Sequence, residues 1–553
     1  MRDKKTVFYS SLAVSLVLIS IGIFAPKQLE NFSNSSLSFI YNNLGWFILG
    51  SVFIFFVFCI YIGMSKFGHI RLGDDDDRPE YKTATWIGML FSASIGISLV
   101  FWGVAEPVSY YIDPPFGTGY SEESAKTAMQ FVFLHWGVSA WACYALVGVS
   151  LAFFQYRKKL PASLSSVFYP LVGDKIRGTF GKTIDVIVIL SIVIGIATSL
   201  GFGTLQVNSG MNYLWDVPIG ISTQAIIIIV VSIIYVASTV SGLQGAMKHL
   251  SNLNMLLAFV LLGLVLLFGP TQMIMKIFFQ GIGDYAQNFI SMSFRTDPYG
   301  DGSWISSWTL FYFGWWIAWA PLVGSFVGRI SKGRTIKEFM FGAIFIPVLG
   351  SFIWFSAMGG SAITFIQNAG ATALATAVES DVTSALFKFF EYLPMTVFLS
   401  ILAMVLVIVF FITSANSAVF VLGMISESGN PNPSHLTKIV WGVIIAAISI
   451  VLIMTGGLAG LQSALVATAI PIAVMMLFMC YSTFIGLKEE AAIISGEKAK
   501  EKAEPSEPGK PELSKPVKSG LSKPIKPVET KKEPALLADV EGTREEEMVV
   551  TSK

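Results

Sequence analysis

Three indoles fall within five residues in the run Trp315-Trp316-Ile317-Ala318-Trp319-Ala320-Pro321, inside a long apolar stretch. Indole faces are preferred hosts for a cation with no N–H to donate, such as a quaternary ammonium. On a helix Trp315 and Trp319 are i,i+4 neighbours, while Trp316 points elsewhere. Pro321 frees backbone groups, which a membrane helix tolerates beside a water-filled cavity or a ligand. The run therefore predicts a broken transmembrane helix carrying an aromatic cage. Anchoring at the membrane interface is the other reading of the same residues. A second aromatic group holds Trp136, Trp141 and Tyr144. The last two share a helix face by i,i+3 spacing, and Trp136 lies within reach of that face around the helix. Two helices that each present aromatics can enclose one trimethylammonium group, each contact contributing about 0.5–2 kcal/mol. Packing or belt anchoring accounts for any single one of these rings.

Phe410-Phe411-Ile412-Thr413-Ser414-Ala415-Asn416-Ser417 sets hydroxyls and an amide in a very apolar span. They can satisfy local carbonyls, or join freed carbonyls of another span to ligate a small hard cation through oxygen. Charge within the spans is scarce. Glu106 and Asp185 sit at span ends, near the interface, where charge is cheaper than at the midplane. With no carboxylate deep in the bundle, a cationic ligand needs aromatic faces, and a zwitterion brings its own countercharge. No catalytic constellation is present. The nearest approach to a phosphate loop, Gly173 to Thr183, carries Ile176 where that loop requires glycine. Uphill transport must then draw on an ion gradient or on exchange. Cys59, Cys143 and Cys480 fit no metal motif or disulfide framework and read as packing.

The elements that must position these residues are membrane helices. The 553 residues are 54% apolar and 13% charged, the composition of a polytopic membrane protein. Twelve candidate spans run at about 7–25, 44–64, 85–105, 127–156, 183–206, 221–240, 252–270, 305–328, 338–360, 393–425, 435–455 and 461–487. Those at 127–156 and 393–425 exceed the roughly 20 residues needed to cross, so they tilt or project. Of the 37 Lys and Arg, 13 follow residue 487, and the other 24 divide 19 to five between alternate loops. The richer side is cytoplasmic, which puts both termini inside. The first apolar segment lacks a small-residue cleavage site and is expected as a retained helix.

Spans 1 and 2 precede a charged loop, 65–84, whose Asp74 to Glu80 run reads as a solvated turn. The other ten divide into fives, 85–270 and 305–487, joined by an amphipathic external segment within 271–304. Five is odd, so a five-span repeat returns inverted. Each five opens on a helix-weakening span: Ser92-Ala93-Ser94-Ile95-Gly96-Ile97-Ser98 in one; Gly314, Pro321 and Gly324 in the other. Interrupted hydrophobic segments at matching positions of two halves point to a transporter's midplane site; close helix packing is the alternative. After about 488 the chain is rich in Pro, Lys, Glu and Ser, a tail expected to be disordered and nearly neutral, with a locally basic stretch at 515–532.

At Gly314 to Gly324, continuing to Arg329-Ile330-Ser331-Lys332-Gly333-Arg334, the sequence resembles the betaine/choline/carnitine transporters. So do Phe101-Trp102-Gly103-Val104-Ala105-Glu106-Pro107, His135-Trp136…Trp141…Tyr144 and Thr413-Ser414-Ala415-Asn416-Ser417. The resemblance runs from about residue 7 to 487. It implies an all-α membrane protein of about twelve transmembrane helices: a leucine-transporter-like 5+5 inverted repeat after two extra helices. It also implies a homotrimer and uptake of compatible solutes by alternating access. By matching position, Trp136, Trp141, Tyr144, Trp315, Trp316 and Trp319 form the aromatic cage and its approach, and the break becomes Ser94-Ile95-Gly96-Ile97-Ser98. A sodium site would take the carbonyls of Ser92, Ile95 and Phe410 and the hydroxyls of Thr413 and Ser414.

The break departs from the family pattern. Sodium-coupled betaine members usually carry Gly-Met-Gly-Ile-Gly, where this chain has Ser94, Ile95 and Ser98. Proton-coupled choline members carry Asp at the position of Ser98. Sodium-independent exchangers lack the hydroxyl pair that Thr413 and Ser414 supply. The expected protein is a non-enzymatic, sodium-coupled importer of glycine betaine or a related quaternary-ammonium osmolyte in the cell membrane, in contact with lipid. It is expected to use no cofactor and to have no nucleic-acid partner. Choline, carnitine or ectoine as substrate, or exchange without sodium, are the alternatives within transport. An osmotically gated channel is the alternative from another class. The cytoplasmic tail is a candidate sensor of ionic strength or lipid.

Overall fold

The computed structural model describes residues 5–94, 96–240, 244–430 and 432–503. Among these the chain is helical, with one isolated β-bridge between Arg71 and Thr335. Among the described residues, ten helical stretches are long and apolar enough to cross a membrane, Glu122–Arg157 counted as one. In order, α1 is Thr6–Phe24 and α2 is Pro26–Met64. The first half continues with α3 Thr83–Ser94, α4 Ile97–Ile112, α5 Glu122–Trp136, α6 Val138–Ala152, α7 Thr179–Trp215, α8 Ile221–Val240 and α9 Gln244–Phe268. Helix α10, Thr271–Ser293, precedes α11 Phe311–Arg329, α12 Ile336–Ala369, α13 Thr396–Ser426 and α14 His435–Ala503.

The exposed faces are apolar. Ile226, Ile229 and Ile233 on α8 and Leu256, Phe259 and Leu267 on α9 point outward, a surface that requires a non-aqueous surround. Inside, glycines let backbones touch. A Cβ on Gly328 of α11 would lie 2.6 Å from the carbonyl oxygen of Gly148 on α6, and one on Gly324 would lie 2.6 Å from Val147 Cβ. Close approach through small residues is how membrane helices gain packing energy without a hydrophobic drive.

The breaks fall where local chemistry demands them. Helix α3 stops at Ser94 and α4 restarts after Gly96, which is fully extended at φ −150°. Ile95 between them lies outside the described residues. The expected long fourth span is two helices, parted at Gly137. A side chain there would overlap the Phe133 carbonyl oxygen and meet Tyr285 Oη of α10 at 2.8 Å. Tyr285 Oη accepts the orphan Val138 N–H at 3.3 Å, so the break is satisfied from outside the helix.

Pro321 does not break α11, contrary to the expectation from sequence; the helix runs through it from Phe311 to Arg329. Proline removes the N–H that the Ile317 carbonyl would receive, a loss a membrane helix tolerates, and side chains tie nearby carbonyls. Ser191 Oγ of α7 donates to the Ala318 carbonyl at 2.9 Å, and Ser325 Oγ donates to the Pro321 carbonyl at 2.6 Å. The irregularity of this span lies earlier, in a π-helical turn at Ser306–Leu310. Helix α14 leaves helical geometry at Gly456 and at Gly457 (φ +54°). It then continues to Ala503, past the expected start of the tail near 488; the tail from 504 lies outside the described residues.

The loop after α2 is pinned to the loop after α11. Leu72 N–H donates to Arg334 O at 2.8 Å, Ile336 N–H to Ile70 O at 2.9 Å, and Arg71 Nη1 to Gly333 O at 2.6 Å. The Arg334 guanidinium lies 4.0 Å from the centre of the Trp86 ring on α3. Expected as a solvated turn, the 74–80 loop also makes ion pairs. Asp75 meets Arg157 at 2.6 Å and Asp74 meets Lys159 at 2.8 Å. Glu490 of α14 joins Arg157 at 2.7 Å and also bonds Lys158.

Candidate functional site

In the site region α6 lies against α11, pressed together by the glycine contacts above. That contact brings the two aromatic groups together. Trp136 is the last residue of α5, while Trp141 and Tyr144 sit on α6. They therefore come from two helices and not from one face of a single helix, as the spacing had suggested. Trp136 meets Trp316 edge to face at 67°, with ring centres 4.9 Å apart, and Tyr144 stands at 83° to Trp316 at 6.3 Å. Trp315 stacks on Trp316 at 5.2 Å and 16°. Trp141 meets Tyr144 edge to face at 5.2 Å.

Trp316, expected to point elsewhere, is the centre of the group. Its Nε1–H donates to the carbonyl oxygen of His135 at 2.6 Å. That oxygen is an orphan acceptor because α5 ends at the Gly137 break. Trp319 is the ring that points elsewhere. It turns toward α7, where a Cβ on Gly195 would lie 3.0 Å from its unpaired Nε1. Rings that the sequence reading did not include complete the walls: Phe202 of α7 lies 5.1 Å from Trp315, Phe355 of α12 lies 5.1 Å from Trp136, and Tyr312 lies 5.7 Å from Trp136.

Glu106 departs most from expectation. Placed near the interface on sequence grounds, it is 0% exposed, one turn and a half from the end of α4. Its Oε2 accepts the Trp136 indole N–H at 2.7 Å and the Tyr312 hydroxyl at 2.6 Å. Its Oε1 lies 3.0 Å from His135 Nδ1. His135 is also fully buried, with Tyr110 Oη at 3.0 Å from Nδ1 and Thr309 Oγ1 at 3.0 Å from Nε2. Full burial of a carboxylate is tolerated because neutral donors surround it. Asp185 is likewise buried and accepts from Ser165.

At the first break, Gly96 O receives the N–H groups of Leu99 at 3.1 Å and Val100 at 3.3 Å. The N–H groups of Ile97 and Ser98 are thus first-turn donors outside the helical ladder, at the positive end of α4. The Ile97 side chain is buried and that of Ser98 half-buried.

Of the oxygens assigned to a cation, Thr413 Oγ1 lies 3.1 Å from the Phe410 carbonyl oxygen, donating to it, and 3.0 Å from Val409 O. Ser414 is half-buried beside it. Ser92 lies within α3, and the Ile95 carbonyl falls outside the described residues. A residue absent from the sequence reading, Asn254 of α9, donates through Nδ2 to Thr413 Oγ1 at 2.8 Å, and its buried Oδ1 has no partner. A pair of amides, Asn252 and Asn254, at the start of an apolar span was the signal available for it.

Comparison with known proteins gives one consistent answer. The family model described as betaine/carnitine/choline family transporter matches residues 6–492. A probable glycine betaine transporter of Desulfitobacterium hafniense is 42% identical over 88% of this chain and 99% of its own length. The glycine betaine transporter OpuD of Bacillus subtilis is 42% identical over 91% and 98%. The ectoine/hydroxyectoine transporter of Virgibacillus pantothenticus is 42% identical over 86% and 95%.

Proposed function

The chain belongs to the betaine/carnitine/choline family of transporters, a multi-pass membrane protein, and on that premise we propose that it imports glycine betaine with sodium. The observation that carries this reading is the box around Trp316: one face covered by Trp315, with Trp136 and Tyr144 standing across it. A trimethylammonium group has no donor for a carboxylate to orient, so ring faces set at right angles are its natural host. The substrate's carboxylate meets the first-turn N–H groups of Ile97 and Ser98. Sodium is held by Phe410 O, Thr413 and Ser414 together with the carbonyls of Ser92 and Ile95, and so favours closure of the break around the substrate.

In the same reading, α3 with α4 and α5 with α6 each make one crossing, and α14 makes two about Gly456 and Gly457. Twelve crossings result, two followed by five and five inverted, with both termini in the cytoplasm. The protein is a lipid-embedded homotrimer. A second substrate, ectoine, is favoured by the relative of that name and by the hydroxyls of Ser94 and Ser98 in place of glycines. Radiolabelled uptake into liposomes, comparing betaine, choline, carnitine and ectoine with and without a sodium gradient, tests both readings. Saturable betaine uptake that needs sodium is expected. Conduction without saturation would make the protein a channel.

A further inference from the structure

We propose that Glu106 is the charge behind the cage: its buried carboxylate makes the rings of Trp136 and Tyr312 richer in electrons and orients the ligand's quaternary nitrogen toward them. The inference rests on the cage reading above.

One carboxylate oxygen accepts from both Trp136 Nε1, at 2.7 Å, and Tyr312 Oη, at 2.6 Å. Trp136 stands across Trp316 at 4.9 Å, and Tyr312 stacks on Trp315 at 6.0 Å and 16°. Trp136 is therefore bonded to this carboxylate, Trp315 and Trp316 each touch a ring that is, and Tyr144 lies one ring further, against Trp316. Among the described residues the only basic side chain paired with Glu106 is His135. A neutral imidazole meets these contacts, with Nδ1–H shared between the carboxylate and the Tyr110 hydroxyl oxygen and Nε2 accepting the Thr309 hydroxyl. The negative charge then has no buried cation to cancel it.

A carboxylate that accepts an indole N–H or a phenol O–H makes a charge-assisted bond. Electron density moves into the ring and deepens the negative potential of its face, where a quaternary ammonium sits. Helix α4 itself supplies both poles. Its first-turn donors at Ile97 and Ser98 form the positive end, and Glu106 lies nine residues along the same helix, about 14 Å at 1.5 Å per residue. A zwitterion between them lies with its carboxylate at the break and its ammonium at the box. If hydrogen bonding alone were required, glutamine would serve. Its oxygen would accept from Trp136 and Tyr312, and its amide would donate to His135 Nδ1.

Glu106→Gln therefore separates charge from geometry. The probes are choline and its uncharged carbon isostere 3,3-dimethylbutan-1-ol, each titrated as an inhibitor of betaine uptake by the full chain in liposomes and by tryptophan fluorescence. The expected result is a loss of roughly tenfold in choline affinity, the scale of one charge acting across a ring in a partly shielded interior. Affinity for the alcohol should stay within about twofold. A parallel loss for both probes would make Glu106 a packing residue, and no change in either would remove its role; both outcomes overturn the proposal. Should Glu106→Gln fail to reach the membrane, Tyr312→Phe reads the same ratio, because it uncouples one ring from the charge. A smaller loss selective for choline is expected there, and an unchanged ratio overturns the proposal. If the wild type binds neither choline nor betaine, the cage reading fails; if it binds them and the variants keep its charge preference, this inference alone fails.

Discussion

The indole N–H of Trp316 meets the main-chain carbonyl oxygen of His135 at 2.6 Å. One bond thereby joins α11 to the end of α5, at the carbonyl left open by the break at Gly137. The central ring of the box is held by backbone, and its orientation follows from where another helix stops.

Two substitutions at Trp316 should separate ring from bond. Trp316→Leu removes the aromatic face and should abolish betaine uptake while the protein still reaches the surface. Trp316→Phe keeps a ring but leaves His135 O unsatisfied, which costs about 1–3 kcal/mol. The expected outcome is residual uptake with a raised KM. Unimpaired uptake in the leucine variant would remove Trp316 from the site.

Sodium dependence should track Thr413 and Ser414. The Thr413 hydroxyl is already shared between Val409 O, Phe410 O and Asn254, so an ion must displace the amide donor to reach it. Thr413→Ala with Ser414→Ala should raise the sodium concentration for half-maximal uptake at least severalfold. An identical sodium profile in that double variant would sink the site.

Close packing of α6 on α11 should be sensitive to a single methyl. Gly328→Ala brings a carbon to 2.6 Å from Gly148 O, an overpacking that typically costs about 1–3 kcal/mol. A lowered melting temperature and weaker betaine binding are expected together, because the same interface sets the two aromatic groups against each other. Gly50→Ala, where nothing lies within 4 Å, should change neither.

A pH effect is expected at the end of α13. Partial burial pushes the Glu427 carboxyl up, but the Ser434 N–H, the Thr437 hydroxyl and the Asn430 amide outweigh it and hold the group below its usual range. A depressed folded value means the stabilisation is complete above the unfolded carboxylate value of about 4.3. It is lost as pH falls through the lower folded value. Melting temperatures of wild type and Glu427→Gln should therefore differ at neutral pH and converge in acid. A constant gap would show that the charge contributes nothing.

Much of this architecture could be read from the residue order, because in lipid a backbone must satisfy itself and long apolar runs become helices. Long apolar helices, the interruption between Ser94 and Ile97 and the aromatic content of two spans needed only composition and local spacing. Pro321 misled for a matching reason: proline signals a lost donor, but one missing bond does not end a membrane helix that packed neighbours hold. Gly137 carried no local mark of a break, since the clash it avoids is with a carbonyl one turn back and with Tyr285 of another helix.

Which rings meet was settled by tertiary packing alone. Helical spacing paired Trp315 with Trp319 and set Trp316 apart; the glycine contacts between α6 and α11 rotate Trp316 into the box and leave Trp319 against α7. Glu106 tells the same story. A carboxylate near the end of an apolar span reads as an interfacial charge, because hydration is its default partner. Only the folded chain supplies Trp136, Tyr312 and His135 as substitutes for that water, from positions 29 to 206 residues away. Local sequence chose the groups, and long-range contact decided which way they face, because a helix fixes spacing along its axis but not the neighbour it turns toward.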